Sequence, residues 1–449
     1  MEYFWGIVPH LIEAILLWLL RASSIFPFRI VNIIFGSASA VLVYKIGEDK
    51  FNRRVGFFSG ILVAVASSFT VFDITGLGDT LATFFVLASI YFTDRNPSLS
   101  GVLLALGCQS RIEFWGIVTL YFFFLIIYRR YKHSEKRIDY FFPKFLTWFL
   151  IMVVFSIFFY AKTGNPIYPF YWSIYNVIGG FGGSTAGSAF SDLLVIRILK
   201  LFSPSSEYFM LRMVFLATFS ISMYYYINSI RKRSENENID FFIMCLAIIV
   251  FRSVFFVAGG VMWLTDSFVM LLMIRVFQFD IALGFLAIFY FSSKIVRYKN
   301  QLSAVIFIIM LPISIMNTGE YVRFQDSQKY GFDVADHFVK LYDGGKITCD
   351  NPTIVYQLIH RGGVKPINIL SNHYSAFYYT SRPNIEQFLA WFVGNNITFI
   401  ILASGGRSQQ IYSYAESHIP DLFISVGIYG SVEFLKVNQT VVSAALSLD

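Results

Sequence analysis

Apolar residues fill the first two-thirds of the chain in long blocks, and short polar or basic stretches separate one block from the next. The blocks cover 29–44, 55–72, 80–93, 99–110, 114–128, 145–161, 208–229, 239–258, 276–293 and 302–316. A helix of roughly 20 residues crosses a ~30 Å hydrocarbon layer, and blocks near that length predict helices that are apolar on every side. Block 80–93 is short for a span. The stretch 4–20 holds Pro9, His10 and Glu13, so it reads as an interfacial helix rather than a lipid-facing one. It also lacks the basic start and small-residue cleavage site of a signal peptide. The pattern predicts a multi-pass α-helical membrane protein with about 10–11 spans.

From residue 318 the pattern changes. Helix-like pieces alternate with strand-like ones: "VADHFVKLY" with "KITCD", "TIVYQLIHR" with "INILS", and "NIEQFLAWFVGN" with "ITFIILAS". "LFISVGIYG" and "VEFLKV" follow. That rhythm predicts a small α/β domain with a largely parallel sheet. The expected division is 1–317 for the membrane domain and 318–449 for the accessory domain. The tail carries two acceptor sequons, at Asn396 and Asn438, which suit an external position.

Composition agrees with the pattern. The chain is 56% hydrophobic, 19% aromatic and 14% charged, with a mean hydropathy of +0.61. Such a balance excludes an ordinary soluble domain. Of the 35 Lys and Arg, 17 lie in the loops 45–54, 94–99, 129–144, 231–238 and 294–300. The alternate connections are nearly free of them, apart from the long segment 162–206. The positive-inside bias therefore assigns the basic loops to the cytoplasm. It also makes the pI of 9.1 a topology signal rather than a sign of nucleic-acid binding. The external face then receives Asp79, Arg111, "TGNPIYPFYW", "MWLTDS" and the tail. Cys349 is the single cysteine of the tail, so no disulfide forms within it and no metal cluster is expected.

Candidate chemistry gathers on that external side. "SSFTVFDITGLGDTLATFFVL" places Asp73 and Asp79 in one short connection, with Asp79 at the start of the next helix, where a carboxylate caps exposed amides. "GCQSRIEFWGIV" adds Arg111 and Glu113, and Arg252 and Arg275 approach the same surface from later spans. Each also has a plain reading, as turn residue, interfacial ion pair or snorkelling side chain. Together they suit a lipid phosphate, because a guanidinium fork neutralises phosphate and a carboxylate accepts a proton from a nucleophile.

Residues 8 to about 300 resemble the C-type-fold membrane glycosyltransferases, in the group of protein O-mannosyltransferases and lipid A aminoarabinose transferases. The likeness rests on the order of several motifs. These are a Pro-containing juxtamembrane helix at Pro9, the turn "YKIGEDKFNRRVGFFSG", the step Gly78-Asp79, and "GVLLALGCQSRIEFWGI" ending in Arg111 and Glu113. "GNPIYPFYW" completes the set with Gly164, Asn165, Pro166, Tyr168 and Pro169. Relatives carry an acidic pair in an external loop before the juxtamembrane helix. No such pair precedes Pro9, where Glu2 is the one acidic residue.

The resemblance implies transfer of a monosaccharide from a polyprenyl-phosphate donor to a protein, lipid or glycan acceptor on the external face of the membrane. The aromatic-rich composition and single external cysteine suit a plasma membrane of archaeal or bacterial type. Arg111, Arg252 and Arg275 would hold the donor phosphate. Asp79 would be the catalytic base, or would orient substrate where the base lies upstream. Glu113, Asp73, Asn165 and Tyr168 would bind substrate. No cofactor is implied, and no nucleotide-sugar site is recognisable. Two other classes remain open in the sequence. A non-catalytic protein that presents its α/β tail to a partner fits the missing acidic pair. A lipid or sugar transporter fits less well, because the charges lie near one edge rather than at mid-span.

Overall fold

The computed structural model describes residues 7–21, 26–66, 69, 78–132, 138–169, 209–231, 238–259, 278–294, 299–316, 331, 333–349, 352–360, 362–370, 384–403 and 407–446. The chain divides into two compact units, Met1–Glu320 and Tyr321–Asp449. The first unit is helical. Its described helices are α1 (Val8–Leu20), α2 (Phe26–Lys50), α3 (Arg53–Val65), α4 (Gly78–Phe92), α5 (Pro97–Ser110) and α6 (Glu113–Lys132). They continue with α7 (Ile138–Thr163), α8 (Phe209–Arg231), α9 (Ile239–Gly259), α10 (Gln278–Lys294) and α11 (Lys299–Met316).

Two asparagines make the sharp reversals of the first hairpins. Asn52 caps α3 by accepting hydrogen bonds from the Arg54 and Val55 amides at 3.1 and 3.0 Å. Asn96 caps α5 by accepting from the Leu99 amide at 3.0 Å, and Pro97 follows in the first turn, where its missing N–H costs nothing. Helix α2 therefore packs back on α3, and α4 on α5. Further contacts join α2 to α4, α5 to α7, α6 to α9, α8 to both α9 and α10, and α3 to α10. The α2–α3 crossing is a glycine contact. A Cβ on Gly56 would collide with the Tyr44 carbonyl, and one on Gly47 with the Gly56 backbone. The buried centre includes Val43, Leu62, Leu104, Ile117, Phe242 and Ala282.

By length and composition, two described helices can cross a membrane: Arg29–Lys50, and Phe141–Thr163 with a mean hydropathy of 2.0. Shorter apolar helices lie at Val8–Leu20, Gly78–Phe92 and Gln301–Pro312. The second of the long helices does not behave as a soluble core helix, because only 11% of its apolar window is buried. It turns Leu146, Phe149, Leu150, Val154 and Ile157 outward.

The second unit is an α/β domain built on a five-stranded sheet in the order β2-β1-β3-β5-β4. The strands are β1 (Lys346–Cys349), β2 (Ile369–Leu370), β3 (Ile397–Ala403), β4 (Phe423–Tyr429) and β5 (Val432–Val437). β1 pairs in parallel with β2 and β3, whereas β5 runs antiparallel to both β3 and β4. The sheet is thus mixed, not largely parallel. The reason is local: β4 and β5 are joined by Gly430-Ser431, and Gly430 at φ 58° supplies the left-handed position of a tight hairpin. Helices cover both faces. Phe399 and Ile401 of β3 enter one core with Phe338 and Leu358, while Ile400 and Leu402 enter the other with Phe388 and Tyr412. Asn396 is the left-handed cap of helix Ile385–Asn395, and Asn438 donates to the Asp421 carbonyl at 3.1 Å.

Gly56→Val should destabilise the first unit by about 1–3 kcal/mol, the usual cost of overpacking a tight contact. Thermal unfolding of the full chain in detergent will show a lowered Tm for Gly56→Val. No such change is expected for Val154→Leu on the exposed face of α7.

Candidate active site

Three carboxylates enter the structure by the same local device. Asp79, Glu113 and Asp280 each lie in the first turn of their helix, α4, α6 and α10 respectively. There the unsatisfied amides and the positive end of the helix dipole favour a negative charge. Arg111 occupies the opposite kind of position. It is the C-cap of α5, with extended backbone and its N–H on the Gly107 carbonyl at 3.0 Å. The connector Arg111-Ile112 then turns the chain straight into α6.

That turn sets the Arg111 side chain between two acids. Its Nη1 lies 2.9 Å from Asp79 Oδ1, and its Nε donates to Glu113 Oε2 at 3.0 Å. Nη2 donates to Glu113 Oε1, which completes a two-pronged grip on that carboxylate. The side chains of Asp79 and Arg111 are 3% and 7% exposed, so neither charge is solvated by water alone. Pro9 of α1 closes the neighbourhood, since a Cβ on Gly78 would lie 2.8 Å from its ring.

A second pair stands beside the first. Arg252 of α9 donates from Nε to Asp280 Oδ2 at 3.3 Å, with both side chains buried. The Arg252 charge also acts on Glu113. The starts of α6 and α10 are clamped together by Phe114 and Phe279, edge to face at 5.4 Å between centroids. The result is an alternating series, Asp79–Arg111–Glu113–Arg252–Asp280, drawn from α4, α6, α9, α10 and the α5–α6 turn. An unpaired ion in the middle of an apolar helix costs ~2.5–3.5 kcal/mol on insertion scales, so alternation is what allows these charges to be buried.

The far end of α4 holds a different polar group. Lys144 of α7, 2% exposed, donates to Thr93 Oγ1 at 3.0 Å and to the Tyr121 hydroxyl at 3.3 Å. Thr93 lies roughly 20 Å along the helix axis from Asp79. Lys50, Lys144, Thr93, Tyr121 and Asp240 line a cavity there with room for about one water molecule. The arginine–carboxylate series offers far more chemistry.

The structure therefore joins Asp79, Arg111, Glu113 and Arg252. Asn165 works locally: its Oδ1 accepts from the Ile167 amide at 3.0 Å, and its carbonyl accepts from the Tyr168 amide at 3.2 Å. Both residues shape the turn after α7. Asp73 and Arg275 lie outside the described residues. Asp280 was not singled out from the sequence, although "QFDIALGF" repeats the signal of "GDTLATFF", one acid opening an apolar run. Among the described residues, no group of three or more His, Cys, Asp and Glu side chains is placed to hold a metal ion.

Comparison with known proteins places part of the chain beside a described family and its fold beside solved structures. Residues 7–160, about a third of the chain, match the family model described as dolichyl-phosphate-mannose-protein mannosyltransferase. That segment contains Asp79, Arg111 and Glu113. No curated protein matches the chain. The fold is similar to that of the oligosaccharyltransferase of Archaeoglobus fulgidus in three solved structures. One, with zinc and sulfate, is 12% identical, has a TM-score of 0.50, and is matched over 97% of this chain and 65% of that one. A second, the enzyme AglB with an inhibitory peptide and a dolichol-phosphate, gives 9%, 0.51, 89% and 61%. A third, tethered to an acceptor peptide with an NVT sequon, gives 11%, 0.52, 96% and 66%. The chain thus spans less than two-thirds of the length of these structures. At such identities the likeness shows the fold alone.

Arg111→Leu strips the shared cation from two buried acids and should destabilise the chain by ~3–5 kcal/mol, as for other broken buried pairs. The triple variant Arg111→Leu, Asp79→Asn, Glu113→Gln should recover most of that loss. Thermal unfolding in detergent of the parent, Arg111→Leu, the Asp79→Asn, Glu113→Gln double variant and the triple variant gives the coupling.

Proposed function

We propose that this protein is an integral-membrane glycosyltransferase that moves a monosaccharide from a polyprenyl-phosphate donor to an acceptor on the external face of the membrane. The observation that carries the reading is the buried alternating series of two arginines and three carboxylates. Carboxylates on either side hold each guanidinium in a fixed orientation before substrate arrives. Preorganised positive charge of that kind stabilises an anion that develops during reaction, with little reorganisation at the moment of transfer. A lipid-linked sugar has such an anion in its phosphate leaving group.

The family match in residues 7–160 supports dolichyl-phosphate-mannose as donor class. The neighbour with dolichol-phosphate and the one with a tethered acceptor peptide support a lipid phosphate and a protein acceptor. The outward apolar face of α7 supports a membrane setting, and the alternation of basic loops supports about 10–11 spans with the tail outside.

The roles follow from the chemistry. An acceptor hydroxyl or amide attacks the anomeric carbon, the bond from that carbon to the phosphate oxygen breaks, and its electrons leave with the phosphate. Arg111 and Arg252 stabilise the growing charge, joined by Arg275. Asp79 takes the proton of the acceptor. Glu113 orients Arg111 and contacts substrate, and Asp73, Asn165 and Tyr168 are assigned to substrate binding. No cofactor is proposed. Phosphate leaves readily, so charge stabilisation and one base suffice.

Membranes containing the full chain, supplied with radiolabelled dolichyl-phosphate-mannose, should move label out of the lipid fraction. Asp79→Asn should lower that rate ~10²–10⁴-fold, the range for loss of a general base. A parent chain that leaves all label on the lipid overturns the transferase reading.

A further inference from the structure

The Arg252–Asp280 pair uses only one side of the aspartate. Oδ2 faces the Arg252 guanidinium, whereas Oδ1 is buried and has no hydrogen-bond partner among the described residues. Asp280 as a whole is 9% exposed. A carboxylate oxygen taken out of water without a donor is costly to keep, and such an atom in a native site calls for a functional account. Its position in the first turn of α10 stabilises the charge but leaves Oδ1 without a partner.

We infer that Asp280 is a sugar-binding residue, with Oδ1 accepting a hydrogen bond from a hydroxyl of the monosaccharide being transferred. The inference rests on the proposed function and gives Asp280 a second role beside holding Arg252. The geometry selects the sugar rather than the acceptor. Arg252, which holds the donor phosphate, sits on the other oxygen of the same carboxylate. The sugar is bonded to that phosphate through its anomeric carbon, so the hydroxyl on the adjacent carbon is the nearest hydroxyl the donor offers. A phosphate on Arg252 and that hydroxyl on Oδ1 form one continuous grip across the bond that breaks. An ionised acceptor is also among the stronger partners available to a hydroxyl.

The test compares three lipids on the full chain in lipid nanodiscs: dolichyl-phosphate-mannose, its 2-deoxy analogue, and dolichyl phosphate with no sugar. The parent chain should bind the 2-deoxy lipid about tenfold or more weakly than the mannose lipid, the usual effect of removing a hydrogen bond to a charged group. Asp280→Ala also removes the partner of Arg252, so it should weaken all three lipids. Its loss for the mannose lipid should exceed its loss for the 2-deoxy lipid and for bare dolichyl phosphate by about that same factor. Asp280→Asn keeps the size and an acceptor oxygen, and its loss should be smaller than that of alanine.

Other outcomes overturn the inference. Equal weakening of all three lipids by Asp280→Ala makes Asp280 a positioning residue for Arg252 alone. Equal binding of mannose and 2-deoxy lipids by the parent chain removes the sugar contact while leaving the transferase reading intact, and needs no variant that must fold. A parent chain that binds none of the three lipids removes that reading as well.

Discussion

Burying an ion in an apolar helical bundle is the constraint on which the rest of this molecule depends. Arg111 meets it by standing between Asp79 and Glu113, and Arg252 by facing Asp280. Neither pair is a surface bridge whose worth disappears into solvent. Each has given up hydration, and each survives only while its partner stays in place. The helices that supply the partners are therefore not interchangeable scaffolding. A shift of α4 along α5, or of α9 against α10, would leave a charge uncompensated in a setting that tolerates none.

Local rules prepare these partners before any tertiary contact forms. All three acids sit in first turns, and Arg111 closes α5 at its carbonyl end, so each helix dipole already favours the sign it carries. The tight hairpins made by Asn52 and Asn96 then return α3 and α5 alongside their predecessors. The glycine contact between α2 and α3 lets those axes approach closely. At the far end of α4, Lys144 follows the same logic with neutral partners, resting on Thr93 and Tyr121 hydroxyls. Helix α4 is thus held by polar contacts at both ends and by apolar packing between.

Much of the helical unit can be read from the sequence because an apolar block and a buried helix are nearly the same object. Block 239–258 became Ile239–Gly259, and block 80–93 became Gly78–Phe92. Arg111 and Glu113, two residues apart at a helix start, were visible as a pair for the same reason. The contacts of Arg111 with Asp79 and of Arg252 with Asp280 were not, since each bridges some thirty residues and depends on which helices become neighbours. Asp280 went unnoticed on that account. In the tail, the strands were legible from their alternating residues. The sheet order was not, because a short turn at Gly430 reverses β5 and makes half of the pairings antiparallel.

The charge count of the series constrains what it can hold. Asp79, Glu113 and Asp280 against Arg111 and Arg252 give a formal excess of one negative charge. On the proposed reading, a phosphodiester donor adds another, and a buried site carrying two uncompensated negatives would repel its own substrate. Two remedies exist in the chemistry of the chain. A third guanidinium makes the unliganded series neutral and leaves only one negative charge with the donor bound, and the sequence offers Arg275 as that cation. Alternatively one carboxylate binds protonated, which would cost the site its base unless the proton sits on an acid other than Asp79. The first remedy is the better match to the reaction. As the bond to the anomeric carbon breaks, the phosphate gains a full negative charge and the base gains the acceptor's proton. The total is conserved while charge moves from base to leaving group. Arginines grouped at the phosphate stabilise that movement, and a permanently protonated carboxylate does not.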